Sequence, residues 1–196
     1  MKAYTNVNLV TCDSKFHIYH DGLLVVDGSQ IAYCGNHDEV WLAKCREVVD
    51  YEGAWVMPGL VNCHTHSAMT LLRGIRDDSN LHEWLEDYIW PAESQFTSDV
   101  TTKAVQVALA EMLQSGTTTF NDMYNPQGVD IDRIYQAVRQ SGMRCYFSPT
   151  LFSSASETAE ETLARTRSII ENILSYHDEN FQTMVAPHSP YACDED

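Results

Sequence analysis

Positive charge is scarce in this 196-residue chain: 12 lysines and arginines face 28 acidic residues, giving a net charge of −16. Such a field repels nucleic acid and anionic membrane surfaces, and excludes both as partners. Long apolar runs are lacking as well. No stretch approaches the roughly 18 residues of a membrane helix. The N-terminus, Met1-Lys2-Ala3-Tyr4-Thr5-Asn6, has no charged segment leading into an apolar one, so no signal peptide is expected. Closely spaced cysteines are absent too. The six thiols (Cys12, Cys34, Cys45, Cys63, Cys145 and Cys193) are at least eleven residues apart and form no Cys-x-x-Cys. That argues against a zinc ribbon or a disulfide framework and for free thiols in a reducing, cytoplasmic setting. Apolar content is sufficient: 44% hydrophobic and 10% aromatic residues can fill a sizeable core.

Residues 1–56 read as short strands joined by turns. Ala3–Val10 alternates apolar and polar side chains, Gly22–Asp27 and Gln30–Cys34 flank a Gly28-Ser29 turn, and Glu47–Tyr51 carries Val48 and Val49. Trp41 and Leu42 fit a brief helical turn. A β unit this small needs something to pack against, and a small β-sandwich segment is expected. No catalytic constellation is visible in it. His17, His20 and His37 stand singly in turn-like settings and read as surface residues, since metal sites need convergent ligands.

From residue 57 to 196 the pattern changes to strands alternating with helices. Strands are expected at Leu60–His64, Thr117–Met123, Arg144–Leu151 and Thr183–Pro187. Helical material is expected at Ala68–Gly74 and Leu81–Ile89. A long helix should run from Thr97 to Ser115, with Ala104, Val107, Ala108, Met112 and Leu113 inward. Two more are expected, Val129–Ser141 and Ser156–Tyr176, the latter burying Leu163, Ile170, Ile173 and Leu174. The fold class is therefore α/β. Four βα units are about half of an eightfold barrel of ~250 residues. Half a barrel exposes two strand edges, so the chain is expected to be the N-terminal half of a (β/α)8 TIM-type barrel belonging to a longer protein. An open four-unit sheet is the alternative.

In such barrels the C-terminal ends of the strands carry function. Those ends hold His64 and His66, then Asn121 and Asp122, then Ser148 to Thr150, then His188. On a strand, His64 and His66 leave one face about 7 Å apart and can share a metal ion. An ordinary core or surface position is the alternative for an isolated His-x-His. On placement alone, His188 is a candidate third ligand.

Several motifs then occur in order: Pro58-Gly59-Leu60-Val61-Asn62-Cys63-His64-Thr65-His66, Leu71-Leu72-Arg73-Gly74, Trp90-Pro91-Ala92-Glu93, Ser115-Gly116-Thr117-Thr118-Thr119-Phe120 and Ala186-Pro187-His188-Ser189-Pro190-Tyr191. Together they resemble the amidohydrolase superfamily. Within it the chain looks most like the 5′-methylthioadenosine/S-adenosylhomocysteine deaminases, near the triazine chlorohydrolases. The resemblance implies that His64 and His66 are metal ligands and that Glu93 accepts hydrogen bonds from ribose hydroxyls. It also implies that His188 contacts substrate rather than metal. The remaining ligands, a histidine and an aspartate, and the proton-shuttling glutamate would lie in a second half of the barrel, and further strands there would complete the β unit. Two-metal members bridge their ions with a carboxylated lysine on a barrel strand. After Pro58 this chain has only Lys103, in mid-helix, so a one-metal site is favoured.

The implied cofactor is Zn2+, with Fe2+ or Mn2+ as alternatives, and the implied partner is a small nucleoside; a homo-oligomer is left open. A bound divalent ion lowers the pKa of its water to about 7, which suits hydrolytic loss of ammonia from the amino-bearing purine carbon. Arg144 is a candidate for a substrate carboxylate, with a strand-end surface arginine as the alternative. Trp84 and Trp90 are candidates for an apolar pocket wall, core packing being the stronger expectation for Trp84. Asp122 could orient a ligand histidine. Two competing functions stand beside the nucleoside reading: a hydrolase of triazines, guanine or another purine, and a non-catalytic role for the 196-residue chain by itself.

Overall fold

A computed structural model describes residues 1–124, 129–153, 157–190 and 192–193. The chain divides into two units, Met1–Gly59 and Leu60–Asp196, three residues later than the expected boundary. Among the described residues no helix is long and apolar enough to cross a membrane.

The first unit is one five-stranded sheet. Strands β1 (Lys2–Val10), β2 (Ile18–Asp27) and β3 (Gln30–Asn36) form an antiparallel meander. The β2–β3 hairpin turns at Gly28, whose φ of +60° favours glycine. Strands β4 (Glu47–Asp50) and β5 (Trp55–Val56) both pair parallel to β1. Helix α1 (Glu39–Leu42) starts at Asp38, whose carboxylate accepts from the Val40 amide at 2.8 Å. Ala3, Leu23 and Val25 are fully buried, with Tyr33 and Trp41 packed against them. The described residues of this unit hold one sheet rather than the two a sandwich requires.

The second unit is built on a parallel sheet. Its order is β10-β8-β7-β6, with β6 (Leu60–Thr65), β7 (Thr117–Tyr124), β8 (Arg144–Leu151), β9 (Phe181–Gln182) and β10 (Ala186–Pro187). The expected fourth strand is interrupted. β9 pairs at Cys145↔Phe181 and β10 at Thr150↔Ala186, so both hold one register along β8 while the intervening residues make no bridge. The stretch expected as Ala68–Gly74 is a 3-10 helix, Ser67–Leu72. A continuous helical stretch follows, made of α2 (Leu81–Glu83), a π-helical turn (Trp84–Ile89) and α3 (Trp90–Glu93). Helices α4 (Ser98–Gln114), α5 (Ile131–Ser141) and α6 (Ala159–Ser175) complete the unit. Thr97, Asp130 and Thr158 cap their N-termini, and α5 ends at Gly142, in the left-handed region at φ +73°. The expected start of α6, Ser156, lies outside the described residues. Its capping box pairs Thr158 with Glu161.

Two helix faces differ from expectation. In α4 the buried stripe is Thr101, Ala104, Val105, Ala108 and Leu109, while Val107 and Leu113 stay over 40% exposed. In α6 the inward face is Thr162, Thr166 and Ile173, with Leu163 and Leu174 outside. Both rows keep helical spacing, but threonines occupy positions that a search for aliphatic residues passes over. Phe120, Ile134, Phe147, Ile173 and Phe181 dominate the core between sheet and helices. Cys145 is fully buried there, and burial pushes its thiol pKa well up, whereas Cys12, Cys34 and Cys63 are exposed. Iodoacetamide at neutral pH is therefore expected to modify those three and to spare Cys145 until the protein unfolds, as read by peptide mass mapping.

Candidate metal and substrate site

Strand β6 carries His64 near its end, and His66 follows as the cap of the 3-10 helix. The imidazole centroids lie 4.9 Å apart with the rings crossed at 88°. Nδ1 of His66 lies 2.5 Å from the Met123 carbonyl oxygen on β7. A carbonyl only accepts, so Nδ1 bears the proton and donates, which leaves the lone pair on Nε2. A histidine fixed this way through one nitrogen is prepared to ligate a metal through the other.

Asp122 does not orient that ring directly. Side chains alternate along β7, and Asp122 is buried together with Phe120, two residues back. Its carboxylate accepts from the Ser67 amide at 2.8 Å, from the Ser67 hydroxyl, and from the Thr65 hydroxyl at 3.4 Å. Thr65 also donates to the Asn121 carbonyl at 2.8 Å. Asp122 thus holds the residues on both sides of His66, through the Thr65 hydroxyl and through the Ser67 amide and hydroxyl. Complete burial raises its pKa, and the bonds from Ser67 oppose that shift.

Glu93, at the end of α3, is half-buried. Burial raises its pKa; the Tyr124 hydroxyl and the proximity of His66 pull it back. Its Oε1 is buried with no partner among the described residues. His188 follows β10, where its amide donates to the Leu151 carbonyl at 3.1 Å. Its ring stacks on Phe152 at 4.4 Å, and Nδ1 lies 3.0 Å from the Ser189 hydroxyl. Burial, and then His66 and His64, lower its pKa, which favours the neutral ring near pH 7.

His64, His66, Glu93 and His188 line one cavity of about 590 Å³. Trp84 and Trp90 supply apolar wall, so Trp84 faces this space as well as packing within its helix. The π-helical turn carrying Trp84, Leu85 and Ile89 is a distortion frequent at functional sites. Arg144 is not brought in. It opens β8 at the end opposite Thr150, a separation of about 20 Å along an extended strand, and its Nε donates to Asn180 at 3.3 Å. Thr150, expected at a functional strand end, lines the cavity with a buried hydroxyl that has no partner among the described residues. Tyr124, one past the expected strand end, and Phe152 line it too and carried no sequence signal.

Imidazole donors suit zinc and similar divalent ions. Among the described residues no three His, Cys, Asp or Glu side chains are gathered closely enough to hold a metal. His188 therefore does not complete a triad with His64 and His66, and the pair fits part of a site.

The sequence pattern of the amidohydrolase family matches residues 55–196. The chain belongs to the amidohydrolase family. This amidohydrolase chain is 43% identical over 192 residues to a 5-methylthioadenosine/S-adenosylhomocysteine deaminase of Bacillus cytotoxicus, covering 97% of this chain and 44% of the relative. A deaminase of the same description from Bacillus cereus is also 43% identical, over 193 residues, with the same coverage of each chain. The chain thus spans less than half the length of the curated relatives it matches. Its fold superposes on a zinc-bound adenosine deaminase from Xanthomonas campestris with a TM-score of 0.83 and 28% identity, covering 98% of this amidohydrolase and 44% of that chain. A guanine deaminase from C. acetobutylicum with bound guanine gives the same TM-score at 21% identity, over 98% and 47% of the two chains, and shares the fold.

Proposed function

We propose that this chain is the N-terminal part of a metal-dependent deaminase acting on a modified adenosine, such as 5′-methylthioadenosine or S-adenosylhomocysteine. The observation that carries the reading is a single cavity lined by an imidazole pair prepared for a metal and by a buried carboxylate oxygen without a partner. The four βα units are taken as half of a (β/α)8 barrel, and the single sheet of the first unit as one layer of a sandwich; the share of the relatives' length covered here supports both. A cytoplasmic location accords with the widely spaced free thiols.

His64 and His66 would hold one divalent ion, zinc foremost, and that ion supplies Lewis-acid activation of water at neutral pH. The chain's own residues bind and orient. Glu93 offers Oε1 as an acceptor to the ribose hydroxyls, and a site built around such an acceptor discriminates strongly against ligands that lack the donor. Trp84 and Trp90 exclude water from the base and thioether. His188, steadied by Phe152 and Ser189, contacts the substrate.

Glu93→Ala is expected to raise KM for 5′-methylthioadenosine about 30-fold or more, the scale of losing hydrogen bonds to a charged acceptor, while kcat changes little. Ammonia release by the natural protein carrying this chain measures it, and an unchanged KM would remove Glu93 from the site. Assays on triazines and guanine test the competing substrates; activity there without activity on the nucleoside would favour them. For the 196-residue chain alone, the two-histidine set supports a non-catalytic state, and stoichiometric zinc uptake with ammonia release would overturn it.

A further inference from the structure

The ladder between β6 and β7 slips just before the histidine pair. Asn62 pairs with Phe120 and Thr65 with Asp122, so two β6 residues, Cys63 and His64, stand opposite Asn121 alone. Neither has a ladder partner, and among the described residues β6 is the end strand of its sheet. The slip therefore frees one peptide group, the carbonyl of Cys63 and the amide of His64. Two asparagines take it up. Nδ2 of Asn121 donates to the Cys63 carbonyl at 3.3 Å, and the His64 amide donates to Oδ1 of Asn62 at 3.2 Å. Asn121 is itself held: Ser148, fully buried on β8, donates through its hydroxyl to Oδ1 of Asn121 at 2.7 Å. The main-chain carbonyl of Asn121 accepts from the Thr65 hydroxyl at 2.8 Å. One residue thus grips β6 on both sides of His64.

We propose that Asn121 is a positioning residue for His64: its amide, oriented by Ser148, locks the bulge that turns the His64 ring toward His66. The inference rests on the reading of His64 and His66 as metal ligands and adds what fixes the first of them. His66 is fixed through its own ring, by the Met123 carbonyl. His64 is held through the main chain beside it. A bulge re-aims the side chain it carries and recurs beside active sites. The two ring centroids stand 4.9 Å apart, whereas alternate residues of a regular strand are about 7 Å apart. Asparagine suits the task because one planar amide both accepts and donates. Ser148 takes the accepting end, which leaves the donating end for Cys63. Aspartate has no donor for that carbonyl, and an aliphatic side chain serves neither partner. Asn121 is not among the residues lining the cavity, so it acts through His64.

The experiment uses the natural protein carrying this chain. Competition with a chelating dye reads zinc affinity, and the visible absorption of the cobalt(II)-substituted protein reads the geometry of the ligands. Asn121→Leu, close in size but without the amide, is expected to weaken zinc binding about 30-fold, within the range for removing outer partners of a metal site. Ser148→Ala keeps the amide but frees its orientation, and should weaken zinc about threefold, the scale of one hydrogen bond. Both should change the cobalt absorption bands. Ile173→Val, a trim of the core on α6, is the control: it should lower the melting temperature and leave zinc affinity and cobalt bands unchanged. A lower melting temperature in Asn121→Leu with unchanged zinc affinity and unchanged cobalt bands would mark a merely structural residue and overturn the proposal. His64→Ala separates the two readings. If it retains full zinc affinity, the assignment of His64 fails and this inference fails with it. If His64→Ala loses zinc and Asn121→Leu does not, the Asn121 role alone fails. Should Asn121→Leu not fold, Ser148→Ala decides by the same two measurements.

Discussion

His66→Ala is expected to remove bound metal from the natural protein and to cut ammonia release at least about a thousandfold, the scale of losing several kcal/mol of transition-state stabilisation. Met123 offers a carbonyl, so His66 donates through Nδ1 and keeps the lone pair on Nε2. Alanine removes that nitrogen and takes one imidazole from the ligand set that would hold the ion. His64→Ala should behave alike, because the rings face each other at 4.9 Å and no third ligand is gathered among the described residues to compensate. Elemental analysis of the purified variants measures the metal content. His37→Ala is the control: that ring lies in the first unit beside Glu39, and its loss should leave metal and activity unchanged. Full metal content in His66→Ala would contradict the assignment.

Asp122→Ala is expected to lower folding stability by about 2–4 kcal/mol and metal affinity by about 10- to 100-fold. Its carboxylate is fully buried and accepts from the Ser67 amide, the Ser67 hydroxyl and the Thr65 hydroxyl. Alanine leaves the Ser67 donors buried without this acceptor, and it releases the backbone on either side of His66. Asp122→Asn retains one acceptor oxygen and should lose less. Urea unfolding gives the stability term, and zinc competition with a chelating dye gives the affinity. A stability loss without any change in metal affinity would reduce Asp122 to a core hydrogen-bond acceptor and detach it from the site.

What the sequence disclosed depended on periodicity and punctuation. Strand β7 was legible from its β-branched threonines after Gly116, and α5 from its spacing and its stop at Gly142, after which β8 was expected. His64 and His66 could be read as a pair because period two is a local rule. The interruption of the last strand could not be read, since β9 and β10 take their common register from β8. The inward face of α6 was read only in part: Ile173 is buried as expected, but Thr162 and Thr166 fill positions where aliphatic residues were sought. Asp122 was legible as a polar residue at a strand end, but its partners were not: contacts with Thr65 and Ser67, more than fifty residues away, exist only once β6 and β7 pair. The same holds for Phe152 against His188. No sequence spacing encodes those contacts, because each joins side chains from different elements.

The most direct test of the central claim is ammonia release from 5′-methylthioadenosine by the natural protein carrying this chain, measured before chelation, after chelation and after zinc is restored. The expected result is release that chelation abolishes and that one equivalent of zinc per chain recovers. Undiminished release from metal-free protein, or no release with zinc bound at His64 and His66, would contradict it.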